Sequence, residues 1–184
     1  VYVTDLGNSR IQKFDDQGNY ISSWGLYGDG PGEFSQPSGI AVGHGYIFVI
    51  DNKLNTVQKF DSLGNFIMQW GSFGNGNSEF RSPNGITVSE NKFVYVVDTG
   101  NNRIQKFTFD GEYISSFGKN DNSEGSLNSP RDIAIDATGK LFVTDPGNKG
   151  INVYKDDGEF LRTFDSSVGG FSIFPTGIIF DENN

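Results

Sequence analysis

Cysteine is absent from the 184 residues, and histidine and methionine occur once each. Without thiols there is neither a disulfide framework nor a thiolate metal site, and cysteine usage says nothing about redox compartment. His44 stands alone in the run Gly43-His44-Gly45, so these residues cannot assemble a multi-histidine metal centre. No stretch approaches the roughly 18 consecutive apolar residues of a membrane helix. The start, Val1-Tyr2-Val3-Thr4-Asp5, has no basic segment followed by an apolar one, and its abrupt opening on an apolar strand points to a trimmed or processed segment. Basic charge is in deficit: 14 Lys and Arg against 23 Asp and Glu leave a net charge of -9. Such a chain repels phosphate backbones and anionic lipid, so neither nucleic-acid binding nor membrane insertion is expected.

What is abundant is glycine (25) and phenylalanine (17). Tight turns punctuating short strands with aromatic anchors give an all-β composition. The run Val1-Tyr2-Val3-Thr4-Asp5 returns as Ile47-Phe48-Val49-Ile50-Asp51, Val94-Tyr95-Val96-Val97-Asp98 and Leu141-Phe142-Val143-Thr144-Asp145, with the aspartates 46, 47 and 47 residues apart. Ile11-Gln12-Lys13-Phe14 recurs at Val57, Ile104 and, more loosely, Ile151. A third block ends on Trp24, Trp70, Phe117 and Phe164, and a fourth begins at Pro37, Pro83, Pro130 and Pro175. Four short β-prone segments in each period of about 46 residues are the arithmetic of a propeller blade. The fourth block is strand a, innermost; the Val-Tyr-Val-x-Asp block is b, the Ile-Gln-Lys-Phe block c, and the block ending on an aromatic d. Strand b is apolar on both faces, as a strand sandwiched between neighbouring blades must be.

These residues resemble the NHL repeat family. The third repeat carries the pattern most fully, with Pro83, Gly85, Ile86, Asp98, Asn101, Arg103, Ile104, Gln105, Phe107 and Gly111 in place. The resemblance implies a propeller, often of about six blades, used mainly as a binding platform for proteins and in some members for RNA; a minority resemble amidating lyases that hold metal in the channel. Departures are Thr56 and Gly150, where the first and third repeats have Arg10 and Arg103, and Asp132 in place of the glycine after proline.

Asp5 with Arg10, and Asp98 with Arg103, span the b-to-c connection, where a carboxylate can satisfy turn amides while facing a guanidinium. Asp51 and Asp145 occupy the same place in the other repeats, and recurrence marks the set as structural rather than as an anion site. The repeated aromatics are expected to pack between blades, each contributing about 1.5–3 kcal/mol. The d-to-a connections, residues 25–33, 71–79, 118–126 and 165–172, are long, polar and the least repeated part. Each is followed by an apolar plug: Phe34, Phe80, Leu127 or Ile173. Recognition is placed there and just before strand a, on Asp29, Glu33, Asn75, Glu79, Glu124, Arg131 and Asp132. The run Asn120 to Gly125 has the alternating oxygen ligands of a calcium loop, but Arg131 stands where the closing glutamate belongs. No cofactor, metal ligand or catalytic residue is therefore assigned.

The expected architecture is one all-β propeller domain over residues 1–184, its four-stranded antiparallel blades built from repeats 1–36, 37–83, 84–130 and 131–174. Segment 175–184 is expected to pair with 1–36 as the inner strand of a blade shared by the two termini. That spacing also fits four blades of a larger propeller, with closure on itself the favoured reading. The functional expectation is a noncatalytic scaffold binding a protein or a second copy through its d-to-a loops. The alternatives are a lyase- or lactonase-like enzyme with a channel-bound divalent cation, and a structural element of an extracellular or cell-surface assembly.

Overall fold

The computed structural model describes residues 1–121, 123–165 and 175–180. β1 (Tyr2–Asp5), β2 (Arg10–Phe14) and β3 (Tyr20–Trp24) form a three-stranded sheet. β4 (Pro37–Gly43), β5 (Tyr46–Asp51), β6 (Thr56–Asp61) and β7 (Phe66–Trp70) form a four-stranded one, and β8 (Ser72–Phe73) pairs with β9 (Glu79–Phe80) in the connection that follows. Two more four-stranded sheets follow: β10 (Ile86–Val88), β11 (Phe93–Asp98), β12 (Arg103–Thr108) and β13 (Tyr113–Phe117), then β14 (Ile133–Ile135), β15 (Leu141–Asp145), β16 (Gly150–Tyr154) and β17 (Phe160–Phe164). Pairing within each of these sheets is antiparallel and sequential, and the strand c to strand d ladder shifts register at the same place each time, between Lys13/Phe14, Lys59/Phe60, Lys106/Phe107 and Val153/Tyr154.

The core lies between sheets. Because side chains alternate along a strand, β5 sends Ile47 and Val49 toward the first sheet, beside Ile11, Phe34 and Phe60. It sends Phe48 and Ile50 toward the third, beside Val94, Val96 and Phe107. β11 continues the pattern, with Tyr95 and Val97 against Leu141, Val143 and Tyr154. The second and third sheets are thus apolar on both faces and bury themselves on their neighbours. The repeated aromatics stand at these boundaries: Trp24 and Phe60 have ring centroids 5.8 Å apart, as do Trp70 and Phe107. Trp24 lies flush on Gly64, where a Cβ would come within 2.8 Å of the ring, and the positive φ of +89° favours glycine there independently. Sheets fanned about an axis through their first strands make this a β-propeller.

Strand c interlocks the blades. The Lys13 ammonium donates to the Ser62 carbonyl at 3.1 Å, Lys59 to Phe109 at 2.8 Å and Lys106 to Asp156 at 2.8 Å. Each acceptor sits in the c-to-d turn of the following blade, at the same place in the repeat. Lys59 is also held over the Tyr46 ring at 4.3 Å and Lys106 over Phe93 at 4.0 Å, so buried ammoniums are partnered by carbonyls and aromatic faces. Val153 takes the lysine position in the last blade.

Segment 175–180 lies beside β14 and β15: the Ile178 amide donates to Asp132 at 3.0 Å, and Phe180 packs edge-on against Phe142 at 4.8 Å. Among the described residues the first sheet has no fourth strand, and 175–180 form none. Residues 181–184, the rest of the segment expected to complete the first blade, lie outside the described residues, as does Ile173.

Lys59→Met keeps the apolar stem and removes the ammonium, stranding the Phe109 carbonyl. It is expected to cost about 1.5–3 kcal/mol in urea unfolding, with Lys13→Met, at a more exposed site, costing clearly less. Equal losses at the two positions would contradict the interlock.

Candidate functional site

The first two connections from d to a are rigid. In one, Tyr27 and Phe34 form a parallel bridge; in the next, β8 and β9 extend the same arrangement to two residues. Between the arms, the Glu33 carboxylate accepts the Gly30 amide at 3.1 Å, and Glu79 accepts those of Asn75 and Gly76 at 3.0 and 2.8 Å. A strand c glutamine fastens each outer edge: Gln58 accepts from the Gly32 amide at 2.9 Å and donates to the Glu33 carbonyl at 2.7 Å, while Gln105 accepts from Ser78 at 3.1 Å and donates to Glu79 at 2.7 Å. Phe34 and Phe80 anchor the loops, fully buried.

The third connection is tied differently. The Tyr154 hydroxyl donates to the Gly125 carbonyl at 2.6 Å, Leu127 is the buried plug, and Asp121 accepts the Ser123 amide at 3.0 Å. Asn122 and residues 166–174, most of the fourth connection, lie outside the described residues.

The candidate contact residues therefore divide. Asp29, Asn75, Glu124 and Arg131 are exposed. Glu33 and Glu79 are turned inward to hold their own loops. Asp132 lies at the axis, where its Cα stands 2.7 Å from the place a Cβ on Gly85 would occupy, and it accepts the amides of Ile133 and Ile178. The loops also present what sequence reading missed: Tyr27 and Phe73 occupy the same offset in consecutive repeats and are 72% and 66% exposed. The available signal was an aromatic recurring inside a polar connection.

Below the loops runs the row of aspartates. Asp98 accepts from Arg103 Nε at 2.8 Å, from Gln105 and Asn101, and from the Arg81 amide, while Arg103 reaches the Gly76 and Glu79 carbonyls at 2.6 and 2.9 Å. Asp5 pairs with Arg10 at 2.9 Å in a more exposed setting. Where Thr56 replaces arginine, Asp51 instead accepts four backbone amides, of Ser35, Gln36, Lys53 and Leu54. Where Gly150 replaces it, Asp145 accepts the Asn128 amide and the Asn148 side chain. Burial raises the pKa of Asp145 and that of Asp132. The Arg10 and Asn8 hydrogen bonds lower that of Asp5, and the Asn19 and Asn65 side chains lower those of Asp15 and Asp61.

Among the described residues no three His, Cys, Asp or Glu side chains converge as a metal site, and no helix is long and apolar enough to cross a membrane. A cavity of about 790 Å³ opens on the opposite side, between the turns after β10 and β14, with Val88, Ile135, Lys140 and Phe180 in its wall and none of the candidate contact residues.

Fanned blades with loops gathered at one end define a propeller with a loop-built face. The chain belongs to the DUF5128 family, described as a 6-bladed beta-propeller, whose model matches residues 1–61 and 42–124. No curated protein matches the sequence. Among solved structures, catalytically inactive virginiamycin B lyase from Staphylococcus aureus with quinupristin is similar over 98% of this chain and 56% of its own, at 22% identity and a TM-score of 0.72. A structure titled as the nidogen/laminin complex is similar over 96% of this chain and 62% of its own, at 19% identity and a TM-score of 0.71. A protein of unknown function from Bacteroides caccae aligns over 99% and 61%, at 14% and 0.66. These likenesses show the fold, and the chain spans little more than half the length of the first of them. Six blades advance by about 60° each, and 175–180 lies beside β14 and β15.

Asp98→Ala strands a buried guanidinium and is expected to cost about 3–5 kcal/mol; Asp5→Ala costs markedly less. A carboxyl whose pKa rises on folding favours the folded state at low pH, and that contribution is lost as pH climbs from the ordinary carboxylate range through the raised value. For Asp5, Asp15 and Asp61 the contribution is present above the ordinary range and lost as pH falls through the lowered values. Carboxyl carbon NMR titration is expected to place Asp145 above, and Asp15 and Asp61 below, the ordinary aspartate value near 3.9; Asp145 titrating below it would contradict this.

Proposed function

We propose that this NHL-like propeller is a noncatalytic binding module, its partner a protein or a second copy of the chain, engaged through the face built by the d-to-a connections. One observation carries the reading: the loops on that face are held internally by Glu33, Glu79, Gln58 and Gln105 while Asp29, Asn75, Tyr27 and Phe73 stay exposed. Loops fixed before binding lose little entropy on engagement, and a scaffold that invests hydrogen bonds in loop rigidity is suited to recognition. The nidogen/laminin likeness is in keeping with this role and with the alternative of a structural part in an extracellular or cell-surface assembly.

The likeness to virginiamycin B lyase favours a second reading, an enzyme with a divalent cation in its channel. Asp132 is the axial carboxylate nearest to serving such a role. Elemental analysis of purified protein, with thermal unfolding before and after chelator, separates the two readings: a bound divalent ion and a chelator-induced drop in the midpoint would favour the enzyme.

Charge-reversal or alanine changes at Asp29, Asn75, Glu124 and Arg131 are expected to abolish capture of partners recovered from the native source while leaving the unfolding midpoint in place. Capture unaltered by all four would remove the binding face from these loops.

A further inference from the structure

We infer that the paired loops form a two-subsite platform for a neutral linear glycan, a deduction that rests on the binding face of the reading above and goes beyond it by adding a glycan to the ligands of that face. Each loop presents an exposed ring followed two residues later by an exposed short polar side chain: Tyr27 with Asp29, then Phe73 with Asn75. Among the described residues no hydrogen bond or ion pair engages the Asp29 carboxylate or the Asn75 side-chain carboxamide, while the Asn75 and Gly76 main-chain amides are taken by Glu79. A pyranose has an apolar face of C–H groups and a rim of hydroxyls. An exposed aromatic offers the first a surface, and a carboxylate or carboxamide offers the second acceptors and donors in one plane.

The backbone that carries each ring is paired in advance. The parallel bridges hold Tyr27 against Phe34 and Phe73 against Phe80, and the Arg81 guanidinium lies 5.5 Å from the Phe73 centroid, supporting one side of that ring. The third connection has Asn120 where the rings stand, so the platform comprises two subsites one blade apart. A polymer of like units can occupy both at once, and the second contact then forms at high effective concentration.

An extended peptide fits less well. Peptide capture at a sheet edge or loop draws on free main-chain groups, and here several are spent: the Gly28 amide on the Phe34 carbonyl, Phe34 on Leu26, Gly74 on Phe80, and Gly30 and Gly76 on the two glutamates. What the two loops share at equivalent positions is an exposed ring and a planar polar group.

The test is isothermal titration of the protein with cellohexaose, mannohexaose, xylohexaose and chitohexaose. Binding of at least one is expected, with Tyr27→Ala or Phe73→Ala raising Kd about tenfold or more, the double variant removing binding, and Asn120→Ala without effect. All three positions are on exposed loops, so unchanged unfolding midpoints verify that the fold is intact. Failure of every hexasaccharide, or binding indifferent to both aromatic substitutions, overturns the glycan assignment. If in that event Tyr27→Ala and Phe73→Ala still abolish capture of a protein or a selected peptide, the binding face stands and only its ligand class is wrong; if they leave such capture untouched, the binding-face reading falls as well.

Discussion

Everything in this molecule depends on polar side chains of the third strand crossing into structure that their own blade does not contain. A propeller blade is apolar on both faces, so hydrophobic burial presses blades together but is indifferent to their relative height and tilt. Lys59 and Lys106, each within reach of one carbonyl in the next blade's turn, and Gln58 and Gln105, each bonded twice to an incoming loop, remove that freedom. The backbone groups they meet are in turns and connections that have no ladder partner, and burying those groups unpaired would be costly. One set of contacts thus fixes blade geometry and satisfies the irregular backbone.

The same contacts position the loop face. Gln58 sits one residue before the lysine that grips the following blade, so the strand that locks blade to blade also holds the connection above it. Loop rigidity is therefore inherited from the scaffold. The row beneath, Asp98 with Arg103 and Asp51 with four amides, shows two chemical solutions to one demand: a negative end of strand b facing the amides of the connection that enters its own blade. Asp145, which also lacks a guanidinium, accepts the Asn128 amide and the Asn148 side chain, and burial raises its pKa.

The strands were legible because an apolar pattern repeated at a fixed interval admits few other packings, and the aromatics at Trp24, Trp70 and Phe117 fell at blade boundaries for the same reason. The lysines at 13, 59 and 106 read only as polar positions on a mixed strand, since their acceptors lie about 50 residues on and become neighbours only when blades stack. Glu33 and Glu79 looked like contact residues because acidity at a loop tip is the same in sequence whether it faces solvent or its own loop's amides. Tyr27 and Phe73 were passed over as loop residues, where local pattern cannot distinguish a buried plug such as Phe34 from an exposed ring. Closure through a shared blade rested on spacing, which is equally regular in a wider ring; the turn angle per blade is a tertiary quantity that no local pattern encodes.

Native-state hydrogen exchange tests the central claim, that blades are stable only through one another. The account predicts that the protected amides of β5, β6, β11 and β12 share one opening free energy and respond together to denaturant, because the interlocks join them as a single unit. Separate opening free energies for the second and third blades, each unaffected by loss of Lys59, would contradict it.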